Sequence, residues 1–221
     1  MNNLALRIFS AIVLAPVAIY VAYLGGWVFA IFWGLAAGAV LWEWLKLVSG
    51  GGWIVAGIFY AGALLAAPLI LRNDAELGFL AMILLFAIVW TTDIFGYFAG
   101  RAFGGPKLMP AVSPKKTWSG ALAGTLGAMI MAVLVASAFG HFNLVAIATL
   151  ALMLSVVSQL GDLLESWIKR HFGAKDASQL IPGHGGVMDR LDGFWAAALV
   201  ACLVGLLRGG FDGATRGLLL W

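Results

Sequence analysis

Three long stretches of this chain carry no Asp, Glu, Lys or Arg. Ile8 to Trp42 and Leu47 to Leu71 contain no Asp, Glu, Lys or Arg, and Thr117 to Gly161 has only His141 as a titratable residue. Each run exceeds the roughly 20 apolar residues that a spanning helix needs. With 63% hydrophobic and 10% charged residues, the composition lies outside the soluble globular range, so an integral membrane protein is expected. The single Arg7 and the long apolar run after it do not make a cleavable signal peptide, so Met1 is expected to start the mature chain. One cysteine, Cys202, excludes an intrachain disulfide and a thiolate cluster and reads as a small buried hydrophobe.

The pattern predicts an all-α polytopic membrane protein with helices near 4–24, 27–48, 53–71, 77–100, 118–139, 143–166 and 190–208. That makes about seven spans, within a range of six to nine. Pro16 and Pro68 fall inside apolar runs and predict kinks or a broken first span. No repeat of 20 to 50 residues and no linker is found, so 1–221 reads as one transmembrane domain. Within it, 1–76 supplies apolar helices and 77–221 carries the polar motifs.

Basic residues set the expected orientation. With the N-terminus cytoplasmic, Arg7, Lys46, Arg101, Lys107, Lys115, Lys116, Lys169, Arg170, Lys175 and Arg190 fall inside, and only Arg72, Arg208 and Arg216 outside. A basic face attracts anionic lipid headgroups and nucleotides alike, so this bias by itself does not choose between topology signal and substrate site.

Chemistry enters where acids interrupt the apolar pattern. Ser155, Ser158, Asp162, Glu165 and Lys169 recur at steps of three or four, which puts one polar stripe on the sixth helix. Asp189 and Asp192, three apart, open the next helix, so four carboxylates can converge. Asp162, Asp189, Glu165 and Asp192 are thus candidate ligands for a hard cation such as Mg²⁺, which combines one or two carboxylates with substrate phosphates. Ordinary ion pairing of Glu165, Lys169 and Arg170 at a helix end is the bland alternative. Between the acids, Pro182-Gly183-His184-Gly185-Gly186 can aim backbone amides into a concavity that suits an anion. Lys169, Arg170, Lys175 and Arg190 could neutralise phosphate around it.

A second constellation on the same face begins at Asp93 and continues through Gly96, Tyr97, Gly100 and Arg101 to Ser113-Pro114-Lys115-Lys116-Thr117-Trp118. This last segment reads as a paired-lysine turn, with Thr117 or Ser113 able to cap the fifth helix. Two lysines at a helix start oppose its dipole unless an anion sits there.

From Ser166 through Lys169-Arg170, Lys175-Asp176, Ser178, Ile181-Pro182 and His184-Gly185-Gly186 to Asp189-Arg190 and Asp192, the chain resembles the signature of the phosphatidate cytidylyltransferase family. Asp93 to Gly104 and Ser113 to Trp118 resemble that family's other polar motifs. The resemblance implies transfer of CMP from CTP to phosphatidate, giving CDP-diacylglycerol and pyrophosphate in phospholipid biosynthesis. It also implies Mg²⁺ and leaves room for a monovalent cation such as K⁺.

By that resemblance Asp162, Asp189, Lys169, Arg170 and Asp192 are expected to be catalytic. Lys175, Asp176, His184, Gly185, Gly186, Arg190, Lys115, Lys116, Arg101, Asp93 and Ser113 are expected to bind substrate. The expected setting is the inner (cytoplasmic) membrane of a cell, with the site facing the cytoplasm and a groove open sideways to lipid. No nucleic-acid partner is expected, and the many glycines would permit a homodimer. The rival readings are a cation or proton transporter using intramembrane carboxylates, a CDP-alcohol phosphotransferase and a scaffold without catalysis. The transporter is disfavoured by the absence of inverted repeats, and the phosphotransferase by the lack of its two-acid motif around Asp162 or Asp189.

Overall fold

The computed structural model describes residues 3–180 and 185–221, with side chains from residue 12 onward. Among them, eight helices and one hairpin follow in the order α1 (Asn3–Leu24), α2 (Gly26–Leu47), α3 (Gly51–Arg72), α4 (Gly78–Phe103), β1 (Lys107–Met109), β2 (Ser113–Thr117), α5 (Trp118–Phe139), α6 (Leu144–His171), α7 (Met188–Gly209) and α8 (Ala214–Leu219). Six of the described helices, α2 to α7, are long and apolar enough to cross a membrane, and α1 contributes the shorter apolar stretch Ile12–Leu24. The expected all-α architecture is therefore present, with six candidate spans among the described residues, within the expected range of six to nine. Helix α1 runs through Pro16 unbroken, as α3 does through Pro68.

Local signals explain the boundaries. Thr117 caps α5 by accepting from the Gly120 amide at 3.2 Å, and Asn143 caps α6 by accepting from the Ala146 amide at 3.2 Å. Two elements differ from expectation. The segment read as a lysine turn is an antiparallel hairpin that pairs Lys107 with Thr117 and Met109 with Ser113. Helix α8 follows α7 as a short packed turn after Gly213.

Helix α4 is the hub, with Leu80, Ala81, Met82, Leu85, Ile88 and Val89 all buried. It meets α5 through small residues that let the two backbones approach. A Cβ on Gly120 would lie 2.6 Å from the Gly96 carbonyl oxygen, and one on Gly124 would lie 2.5 Å from that of Thr92. The opposite face of α5 presents Leu122, Leu126, Ile130 and Leu134, a stripe at four-residue intervals that is exposed and suited to hydrocarbon. Gly120→Val should therefore force the α4–α5 contact apart at a cost of about 1–3 kcal/mol, read as a lower thermal midpoint in detergent. Val in place of the lipid-facing Leu122 should leave that midpoint nearly unchanged.

The two ends of the bundle differ in chemistry. At one, Arg72 donates to the Ala22 carbonyl at 2.6 Å, and Arg216 bridges Asp74 and Glu76 at 2.8 and 2.7 Å. Burial pushes the Asp74 carboxyl up, but the amides of Leu77 and Glu76 and the Arg216 guanidinium outweigh it and hold it below the usual carboxylate range. At the other end lie the hairpin, residues 172–180 and 185–187 and the polar ends of α2, α6 and α7, joined by long-range hydrogen bonds.

Candidate active site

The polar stripe foreseen on α6 faces inward. Ser155, Ser158, Glu165 and Lys169 are all buried, and Asp162 lies half-buried among them. Near its membrane-depth end, the Ser155 hydroxyl bonds Thr92 Oγ1 at 2.8 Å and Thr125 Oγ1 at 3.2 Å, and Gln159 Nε2 donates to Thr125 at 3.0 Å. This network ties α4, α5 and α6 together one turn below the acids, so the hydroxyls of Thr92, Thr125 and Ser155 each have a partner.

At the next turn, ligand atoms of Asp162, Glu165 and Asp192 lie within 4.8 Å of one another. The Oε1 atom of Glu165 is buried without a hydrogen-bond partner. Three converging carboxylates with an orphaned buried oxygen fit a hard cation, which supplies the charge that such a group otherwise lacks. Gly161 and Gly193 make the approach of α6 and α7 possible, for Cβ atoms there would sit 2.7 Å from the Asp192 carbonyl oxygen and 2.5 Å from Ser158 Oγ.

Asp189 does not join this trio. Its Oδ2 accepts from the Gly186 amide at 2.7 Å and the Ala177 amide at 3.0 Å, and its Oδ1 meets Lys169 Nζ. An acid in the first turn of α7 is captured by the Gly186 amide three residues before it, and the Ala177 amide adds a second bond from the preceding segment. Lys169 is correspondingly committed, lying between Asp189 and Glu165, whose Oε2 is 3.0 Å away. As placed, it is an ionic tie between α6 and α7 rather than an open phosphate ligand.

The hairpin, α4, α5 and α6 enclose a cleft of about 590 Å³ lined by Asp93, Arg101, Lys107, Lys115, Lys116 and Asp162, with Gly96, Gly100, Gly120 and Gln159 among its walls. Asp162 thus belongs to both the cleft and the carboxylate trio, and it ion-pairs with Lys116 across the two. The cleft brings together Asp93, Arg101, Lys115, Lys116 and Asp162 from the expected set. Ser113 begins β2 but is not among the residues lining the cleft. Arg170, Lys175, Asp176 and Arg190 are exposed around the loop, with Arg170 donating to the Ala174 carbonyl at 2.8 Å. Gly185 adopts φ 86°, where a side chain would be strained, and a Cβ there would reach 2.9 Å from Asp189. His184 lies outside the described residues.

Three residues that the sequence reading passed over belong to this region: Gln159, Lys107 as a cleft residue, and Glu43. Glu43 is fully buried near the end of α2, where its carboxylate accepts from Ser178 Oγ at 2.6 Å and from the amides of Val187 and Met188 at 2.9 and 2.7 Å. A lone acid in an apolar helix was the available signal, since such a group must find partners.

The family model described as "Cytidylyltransferase family" matches residues 49–207. A phosphatidate cytidylyltransferase of Brucella abortus biovar 1 (strain 9-941) is 40% identical over 257 aligned positions, covering 94% of this chain and 95% of that protein. Another, of Rickettsia bellii (strain RML369-C), is 37% identical over 202 positions and 86% of each chain. A third, of Haemophilus influenzae, is 41% identical over 148 positions, covering 63% of this chain and 50% of its own. Neither the family match nor these relatives support a cation or proton transporter. Matched by the family model over most of its length and by these relatives, the chain belongs to the cytidylyltransferase family.

Proposed function

We propose that this chain transfers CMP from CTP to phosphatidate, giving CDP-diacylglycerol and pyrophosphate. The observation that carries the reading is Asp162, shared between a basic cleft and a three-carboxylate cluster. A phosphate monoester oxygen of phosphatidate attacks the α-phosphorus of CTP, one P–O bond forms, and the bond to the β-phosphate bridging oxygen breaks. Pyrophosphate leaves with that electron pair, and no covalent enzyme intermediate is needed. In such a displacement the protein positions the reactants and neutralises charge.

Asp162, Glu165 and Asp192 would hold a divalent cation, Mg²⁺ by the chemistry of an all-oxygen donor set, with K⁺ as a candidate second cation. The cation would screen phosphate charge in the reacting complex. Lys107, Lys115, Lys116 and Arg101 would meet phosphate oxygens in the cleft, and Lys116 would exchange Asp162 for phosphate. Lys175, His184, Gly185, Gly186 and Arg190 would border the triphosphate, with Arg170 and Asp176 at its edge. Asp189 and Lys169 would set the geometry of that border rather than touch the cation. Asp93 and Gln159 would close the cleft toward the membrane interior, and Ser113 would act through the hairpin.

The basic end of the bundle would face the cytoplasm of a bacterial inner membrane, where soluble CTP meets the lipid headgroup. Ten basic residues against three support that orientation. The test is purified protein in mixed micelles with phosphatidate, radiolabelled CTP and Mg²⁺. Lipid-linked label that requires all three is the expected result, and its absence in folded protein would sink the reading.

A further inference from the structure

Helix α7 carries Asp189 and Asp192 into the site, yet its N-cap residue, Val187, makes no side-chain capping bond. The exposed amides at that helix start must be satisfied from elsewhere. The Glu43 carboxylate does so from α2, taking the Val187 amide on Oε1 and the Met188 amide on Oε2. Oε1 also accepts from Ser178, whose hydroxyl in turn accepts from the Leu180 amide at 3.0 Å. One buried carboxylate therefore joins Ser178 to the first residues of α7. The fit is close, since a Cβ on Gly186 would sit 2.7 Å from Glu43 Oε1.

We infer that Glu43 is a positioning residue of the transfer reaction: it caps α7 from a distance and ties Ser178 to the start of α7, beside the proposed triphosphate border. The inference rests on the proposed function. Charge suits this task better than a neutral acceptor. The dipole of α7 presents partial positive charge at the same point, and a carboxylate can accept all three bonds without turning a donor toward an amide. In Glu43→Gln the side chain keeps its size, but Nε2 opposes a backbone N–H, so the start of α7 is released while packing is conserved.

Positioning and plain structural support predict different kinetics. Glu43→Gln in the full chain should raise KM for CTP about tenfold, the scale of one lost charge-assisted hydrogen bond, while KM for phosphatidate stays the same. Glu43→Asp, which keeps the charge on a shorter stem, should fall between parent and Gln. Ser178→Ala should shift KM for CTP in the same direction by a smaller factor and carries the kinetic test if Glu43→Gln does not fold. Equal changes in both KM values, or lower yield with parental constants, would overturn the assignment. A second readout is independent of catalysis. Amide hydrogen exchange over 185–189 should accelerate in Glu43→Gln or Ser178→Ala relative to the parent, and unchanged exchange would overturn the capping role. If the parent transfers no label, the proposed function fails while the exchange experiment still decides the role of Glu43.

Discussion

Asn in place of Asp162 is expected to reduce label transfer by about 10²–10³-fold, the loss usual when one charged group is removed from a reacting site. The substitution is close to isosteric, so it removes charge and leaves shape. Its cost to the fold should be small, because the ion pair with Lys116 is partly solvated, each side chain being 28% exposed, and such pairs contribute at most about 1 kcal/mol. Activity and stability should therefore separate: the thermal midpoint stays near the parent's while turnover collapses. Raising the divalent metal concentration should recover part of the loss, because Glu165 and Asp192 remain to bind it. Parental turnover with an unchanged metal requirement would remove Asp162 from the cation site. Asp189→Asn should behave differently, weakening the Lys169 tie and the loop amides together and lowering the thermal midpoint as well as turnover.

How far this outcome could be foreseen differs among the elements. The long helices were legible because hydrocarbon permits little besides helix once an apolar run is long enough. The α6 stripe was legible because its polar residues repeat at the helical period. The hairpin was not: Lys107 to Thr117 reads KLMPAVSPKKT, without the apolar alternation of a half-buried strand, and its pairing is held in place by α4 and α5. Glu43 was hidden by sequence distance, for its partners lie 135 to 145 residues away. Asp189 and Asp192 illustrate a different limit. Their spacing let both be expected as cation ligands, but the Gly186 and Ala177 amides hold the first of them, and that competition emerges only in the folded chain.

Met in place of Lys169 should produce the largest stability loss. Lys169 is 7% exposed and lies between the buried Glu165 and Asp189, whose side chain is 8% exposed, so removing its ammonium leaves two carboxylates facing each other in a medium that solvates them poorly. Breaking a buried pair from one side costs about 3–5 kcal/mol, which for a chain of this size corresponds to a fall of about 10 °C or more in the thermal midpoint. The charge explanation can be separated from lost packing, since Met fills most of the lysine stem. Adding Glu165→Gln to Lys169→Met removes one of the stranded charges and should restore part of the midpoint, so the double variant should be more stable than Lys169→Met alone. Activity should not return with it, because Glu165 belongs to the carboxylate trio. The neighbouring Arg170 is the control: exposed and bonded to one loop carbonyl, it should tolerate Met within about 0.5 kcal/mol. Equal midpoints for the two single variants would show that the α6–α7 junction does not depend on the buried ammonium.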